Sequence, residues 1–266
     1  MVVPLDREHL LAAVERSPQA AAAHDRAGWV GLFTGDGRVE DPVGSRPHVG
    51  REQIGRFYDT FIGPRDIKFH RDLDIVIGTA VLRDLELEVA MGPAVTMYIP
   101  AFLRYDLREA HGEWKIGELQ AYWELPAMIL QFLRAGPGAV RPALNLSKGL
   151  LRNQGWRGAA GFMTGFRRVG ARHQRLVTAF LDAVARKDES GAARLLSAGA
   201  AMTLGDRDPL DLTEFVEQLD GAAITKTIGA GPTVALSLNS GHGRAIVFAE
   251  VARRGDAITR VTYFPG

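Results

Sequence analysis

Cysteine is absent from the 266 residues. That excludes disulfides, thiol nucleophiles and cysteine-ligated zinc or iron–sulfur sites. No window reaches the roughly 18 consecutive apolar residues that a membrane-spanning helix needs, and the first 30 residues lack a basic stretch leading into an unbroken apolar run. A cytoplasmic location is the expectation. A large net charge is also missing: 32 Lys and Arg stand against 31 Asp and Glu, for a formal net charge of +1. With no basic stretch interleaved with aromatics, nothing calls for nucleic acid. No His and carboxylate set has metal-ligand spacing, and neither a dinucleotide fingerprint nor a GxxxxGK[ST] loop occurs, so no metal and no cofactor are expected.

What is present is 46% hydrophobic residues in a chain of 266, long enough for one large or two ordinary domains, each able to bury a core. Residues 5–32 carry helical apolar spacing interrupted at Ser17-Pro18, which predicts two helical pieces. In "GREQIGRFYDTFI", Ile54, Phe57, Tyr58 and Phe61 share one helical face. Strand patterns follow in "IKFHRDLDIVIGTAVLRDLELEVAM", "VTMYIPAFLRYDLR" and "EWKIGELQAYWEL", with turns at Gly92-Pro93 and His111-Gly112. Helices before an antiparallel sheet make an α+β order.

The order recurs. "HQRLVTAFLDAVARKDESGAARLLSAGAAMTLGD" overlays "SPQAAAAHDRAGWVGLFTGDGRVEDPVGS" with Asp188 on Asp25, Leu195 on Leu32 and Met202 on Val39, an offset of about 163 residues. "LTEFVEQL" then supplies a third helix, and "TVALSLNS", "RAIVFAEVARR" and "AITRVTYFPG" supply strands. Three segments result: residues 1–125, a connector at 126–170, and a second copy at 171–266. Nine of the 32 basic residues fall between Arg134 and Arg175, a stretch without Asp or Glu, so the rest of the chain is acidic, with 23 basic against 31 acidic residues. The connector's "PAMILQFL" and "GFMTGF" are too apolar to stay solvated, which predicts helices with their apolar sides buried. Its arginines at 134, 141, 152, 157, 167 and 168 and Lys148 would stay outside. Such a surface could meet the acidic body or, as the less favoured partner, an anionic membrane.

The stretch "VEDPVGSRPHVGREQIGRFYDT" ends a short strand on Asp41, turns at Pro42, and enters the apolar helix. It resembles the ketosteroid isomerases, small proteins of the cystatin-like cone fold shared with polyketide cyclases, limonene-type epoxide hydrolases and scytalone dehydratase. "GELQAYWE" is similar to that family's last strand and "LRYDLREAHG" to its penultimate strand and turn, so the resemblance spans about residues 15–125. It implies tandem cones, each a curved antiparallel sheet wrapped around about three helices and enclosing an apolar cavity. It also implies that Asp41 is the general base, with Tyr58, Phe57 and Trp123 at the pocket and Phe33 behind it. A carboxylate desolvated by apolar neighbours is a stronger base than in water, so a raised pKa is expected at Asp41.

Two positions depart from the family. Its oxyanion donors, a tyrosine and a protonated aspartate, fall at Ser17 and Ala101. Tyr98 is a candidate replacement, although strand alternation from Ala101 points it outward unless Pro100 forms a bulge. Alternation likewise turns Leu85, Leu87 and Val89 to the cavity and Glu86 and Glu88 to water; His70 reads as a surface histidine. In the second copy Leu204 stands at the base position, with Asp206 and Asp208 following in the turn, so that copy is expected to keep the fold and lack the site. The expected activity is Asp41-mediated proton transfer on a hydrophobic carbonyl compound, steroid-like or polyketide-like. The alternatives are a non-catalytic lipid- or steroid-binding protein, or cyclase or epoxide-hydrolase chemistry with Asp72 or Glu86 as second acid. The expected partner is a hydrophobic small molecule, and pairing of cones, between chains as a homodimer or within one chain as a pseudo-dimer, is the expected assembly.

Overall fold

Asp6 starts the first helix, its carboxylate accepting the His9 N–H at 2.9 Å, and α1 runs over Arg7–Ala22. The expected break at Ser17-Pro18 does not occur: the helix continues through Pro18. Leu10, Ala13, Val14, Ser17 and Ala21 are buried along one face, and that packing outweighs the hydrogen bond Pro18 cannot make. The chain turns instead at His24, which adopts φ 51°, and Asp25 caps α2 (Arg26–Gly31) through the Gly28 N–H. The computed structural model describes residues 6–92, 95–134, 136–155, 161, 164, 169–252 and 256–266. They fall into two units, 1–166 and 167–266.

In the first unit β1 (Phe33–Glu40) and β2 (His48–Val49) precede α3 (Gly50–Phe57), which passes directly into a π-helical turn at Tyr58–Ile62. Four long strands follow: β3 (Asp66–Ile77), β4 (Ala80–Ala90), β5 (Thr96–Ala110) and β6 (Glu113–Tyr122). In the sequence β3 and β4 read as one continuous run. They are a hairpin, with Ile77 paired to Ala80 around Gly78-Thr79, and Gly78 sits at φ 57° where a side chain would be strained. The sheet order is β2-β1-β6-β5-β4-β3. All pairs are antiparallel except β1 with β6. Pro100 is tolerated in β5 because β6 begins to pair only at Phe102, leaving that part of the strand without a second neighbour.

The concave side of this sheet packs on the helices. Trp29 lies at the centre, its ring 4.9 Å from Phe33, 6.1 Å from Phe57 and 5.6 Å from Tyr58. Each such buried aromatic contributes roughly 1.5–3 kcal/mol. The indole N–H is satisfied by Ser17 Oγ at 3.1 Å. After β6 come α4 (Leu125–Arg134) and α5 (Val140–Gly149). Met128, Ile129 and Phe132 pack against the core, but Leu130, Leu133, Val140, Leu144 and Leu151 are exposed. The expectation that the connector's apolar sides are buried is met on one face only, because a segment this apolar has more leucines than one helical face can hold. Arg157, Arg167, Arg168 and most of "GFMTGF" lie outside the described residues.

The second unit repeats the first device by device. Helix α6 (Ala171–Ala185) ends at Lys187 in the left-handed region, φ 58°, and Asp188 caps α7 (Glu189–Ala193) through the Gly191 N–H. Then follow β7 (Leu196–Leu204), β8 (Asp208–Pro209), α8 (Leu212–Gln218), β9 (Ala223–Ala230), β10 (Thr233–Ser240), β11 (Gly243–Val251) and β12 (Ile258–Pro265). The order β8-β7-β12-β11-β10-β9 matches that of the first sheet, with a parallel β7–β12 pair where the first has β1–β6. Val39 pairs with Leu119, and Met202, about 163 residues on, with Val261. The chain is therefore two α+β cones in tandem.

Candidate active site in the N-terminal unit

Asp41 follows the last residue of β1, and its backbone is held from both sides. The Val43 N–H donates to the Ala121 carbonyl at 2.8 Å, Gly44 N–H to the Glu40 carboxylate at 2.9 Å, and Ser45 N–H to the Pro42 carbonyl at 2.9 Å. The Asp41–Pro42 peptide is cis. Thr164 adds a bond to the Gly44 carbonyl at 3.2 Å. This pinned loop presents the Asp41 carboxylate to Trp123, just past β6, whose indole N–H donates to Oδ1 at 2.5 Å.

Both residues form part of the wall of one cavity. Strand periodicity builds most of that wall. Ile67, Val89 and Met97 stand in one cross-strand row, and Leu87 and Ile99 in the next. Phe57, Phe61 and Ile62 come from α3 and its π-turn, and Met128 and Leu146 from α4 and α5. Asp41 and Arg65 are the two ionisable residues in this lining.

Asp41 is half-buried by accessible surface, since it borders the void, yet protein encloses it otherwise. Burial pushes its carboxyl up to about 6, against a smaller opposing effect of the Trp123 hydrogen bond, which favours the charged form. Arg65 is pushed down to about 10 by burial and stays protonated at neutral pH. His48, whose ring is 5.2 Å from that of Phe57, is pushed down to about 4 by burial and, secondarily, by Arg46; it does not line the cavity.

Of the residues singled out in the sequence, Asp41, Phe57 and Trp123 meet at the cavity. Phe33 and Tyr58 do not line it. Both are buried against Trp29. The π-turn explains Tyr58: the Gly63 N–H bonds to the Tyr58 carbonyl at 2.9 Å, an i to i+5 bond that shifts the helical phase so that Phe57, Phe61 and Ile62 face the void. The Tyr58 hydroxyl is buried with no hydrogen-bond partner among the described residues. Ala101 is on the inward face but beneath the lining, paired with Leu85. Tyr98 requires a correction: it is 49% exposed. The β4–β5 register runs unbroken through Glu86–Pro100 and Glu88–Tyr98, so Pro100 makes no bulge to turn it inward. Glu88 engages Lys68 at 2.7 Å and His70 at 2.8 Å on the outer face. Neither family donor position reaches the cavity, since Ser17 accepts from Trp29 and Ala101 offers no side-chain donor. Arg65 was not found from the sequence. It follows Gly63-Pro64 in a turn and carries no pattern to set it apart from a surface arginine.

Residues 10–131 match the nuclear transport factor 2 (NTF2) domain family. Among solved structures, the RV0760c protein from Mycobacterium tuberculosis in complex with estradiol-17beta-hemisuccinate is 25% identical over 44% of this chain and 95% of its own, with a TM-score of 0.40. The Δ5-3-ketosteroid isomerase from Mycobacterium sp. is 27% identical over 45% of this chain and 95% of its own, with a TM-score of 0.40. An LEH-like epoxide hydrolase from M. tuberculosis is 18% identical over 51% of this chain and 97% of its own, with a TM-score of 0.42. The chain thus joins a stretch, residues 10–131, that is similar to the NTF2 domain to a second sheet-and-helix unit of the same strand order.

Proposed function

We propose that the N-terminal unit binds a hydrophobic carbonyl compound in its cavity and that Asp41 moves a proton on it. The observation that carries this is a carboxylate on a wall that is apolar apart from Arg65, with a pKa of about 6 that suits a general base near neutral pH. The ionised carboxylate takes a proton from the carbon α to the carbonyl, and the C–H electron pair moves toward the carbonyl oxygen to give an enolate. Where the substrate carries a β,γ double bond the product is a dienolate, and protonated Asp41 then returns the proton to the γ carbon as the double bond moves to the α,β position, an isomerisation with no external reactant. The same first step serves aldol-type cyclisation or dehydration.

The oxyanion side of the site argues for a restrained rate. Losing one such donor typically lowers turnover about 10²- to 10³-fold, and neither Ser17 nor Ala101 offers one to the cavity. A Δ5-3-ketosteroid is therefore expected to be isomerised slowly, with a further loss of at least about 10²-fold in Asp41→Asn. Equal rates in the two proteins would remove the base role. The absent donors also favour a second reading, a binding protein without catalysis. It would be supported by a steroid that binds wild type and Asp41→Asn equally well and is turned over by neither.

A further inference from the structure

Arg65 is an anomaly in the cavity that the proton-transfer reading does not use. Its Nη1 donates to the Thr60 carbonyl at 2.6 Å and its Nε lies 3.2 Å from Met91 Sδ. Among the described residues no carboxylate pairs with it, and no acceptor takes its Nη2 hydrogens. A cation held at an apolar wall without a counter-charge loses hydration that nothing returns. The side chain is nonetheless fixed in place, by the two contacts above and by its own N–H bonding to the Ile62 carbonyl at 3.0 Å.

Asp41 does not supply the missing charge. The Asp41 carboxylate is engaged by Trp123, and no ion pair joins it to Arg65 among the described residues. The fold gives the reason. Asp41 and Trp123 belong to the β1–β6 side of the sheet, while Arg65 precedes β3 and touches Met91 just past β4. Three strand spacings separate β6 from β3, roughly 14 Å on a flat sheet and less on a curved one. The lining between them, Leu87, Val89, Met97 and Ile99, is apolar.

We infer that Arg65 is the recognition site for a carboxylate on the ligand, so that the cavity takes an amphipathic acid: an apolar compound whose acidic group lies remote from the carbon that Asp41 attends. The free Nη2 edge of a guanidinium suits a carboxylate oxygen, and a ligand charge arriving in this poorly hydrated site makes a charge-assisted hydrogen bond stronger than a neutral one. The inference rests on the proposed cavity function and extends it to the ligand's class.

The test compares decanoate with methyl decanoate, followed by tryptophan fluorescence in wild type, Arg65→Met and Arg65→Lys. Wild type is expected to bind the acid at least about tenfold more tightly than the ester. Arg65→Met should abolish that preference while keeping ester affinity within about threefold, and Arg65→Lys should retain part of it. An arginine that only braces the π-turn would leave the acid-to-ester ratio unchanged. A ratio near one in wild type, or a preference that survives Arg65→Met, overturns the inference and leaves the cavity reading intact. Failure of both compounds to bind wild type removes the cavity reading and this inference together. If Arg65→Met does not fold, Arg65→Gln takes its place in the same comparison.

Discussion

Replacing Asp41 by asparagine should stabilise the N-terminal unit at neutral pH and leave it nearly unchanged in acid. The carboxyl's ordinary value is 3.8 and burial raises it to about 6 in the folded protein. Between those values the folded state binds more protons than the unfolded one, so stability falls as pH rises through this window. Above it the folded protein carries the full penalty of a buried charge. About two pKa units correspond to about 3 kcal/mol, and water entering the cavity mouth will lower that, so about 2–3 kcal/mol is the working figure. Asparagine keeps an oxygen to accept from Trp123 and removes the charge, so the variant escapes the penalty.

The assay is urea unfolding of wild type and Asp41→Asn at pH 4 and pH 7.5, followed by tryptophan fluorescence. Trp29, Trp114 and Trp123 belong to the N-terminal unit and residues 167–266 contain no tryptophan, so the signal reports that unit even if the second unfolds separately. Other carboxylates titrate in the same range, but they are common to both proteins and cancel in the difference. Asp41→Asn should be more stable by about 2–3 kcal/mol at pH 7.5 and within about 0.5 kcal/mol at pH 4. A variant equally destabilised at both values would show that the carboxylate is not held against its charge, and the argument for Asp41 as a tuned base would fall.

Trp123→Phe removes the hydrogen bond that favours ionised Asp41, so the carboxyl should titrate above 6; carbon-13 NMR of labelled aspartate reads this directly, and an unchanged midpoint would show that the indole does not act on it. Tyr58→Phe deletes a buried hydroxyl without a partner among the described residues and should be neutral or stabilising by up to about 1 kcal/mol in urea unfolding, whereas a loss above 1 kcal/mol would reveal a bond the geometry does not contain. Leu87→Phe should fill the void between Asp41 and Arg65 and weaken decanoate at least about tenfold with little change in unfolding midpoint; undiminished binding would place the ligand elsewhere.

The parts of the site that were legible in the sequence are those fixed by local pattern. Asp41 at a strand end before a proline, and Phe57 on an apolar helical face, depend on neighbours a few residues away, and both stand where that pattern puts them. Tyr58 and Phe61 looked equivalent in an α-helix, and only the π-turn separates them, a change of phase with no residue signature of its own. The Gly78-Thr79 hairpin was hidden because strand-forming residues flank a turn without Asn or Asp. Strand β9, "AITKTIGA", was missed for the converse reason: its alternation is weak and two glycines bracket it. Arg65 is a third case, since the role inferred for it depends on the absence of a carboxylate around it among the described residues, and an absence in space leaves no trace along the chain.

The second unit shows why the fold survives without the site. A left-handed residue at His24 and Lys187, the aspartate caps at Asp25 and Asp188, and the parallel pairing of Val39 and Met202 are backbone devices, each satisfied by partners within its own unit. None of them needs a carboxylate on the cavity wall. At the position of Asp41 the second unit has Leu204, half-buried and packed on its core, with Tyr263 paired beside it. Phe215 stacks with Phe180 at 6.0 Å and meets Tyr263 edge-on at 5.4 Å. A leucine there spares that unit the penalty assigned above to buried, ionised Asp41. The first unit bears that penalty at a position its fold does not require, which is what the proposed proton transfer by a cavity-facing carboxylate would demand.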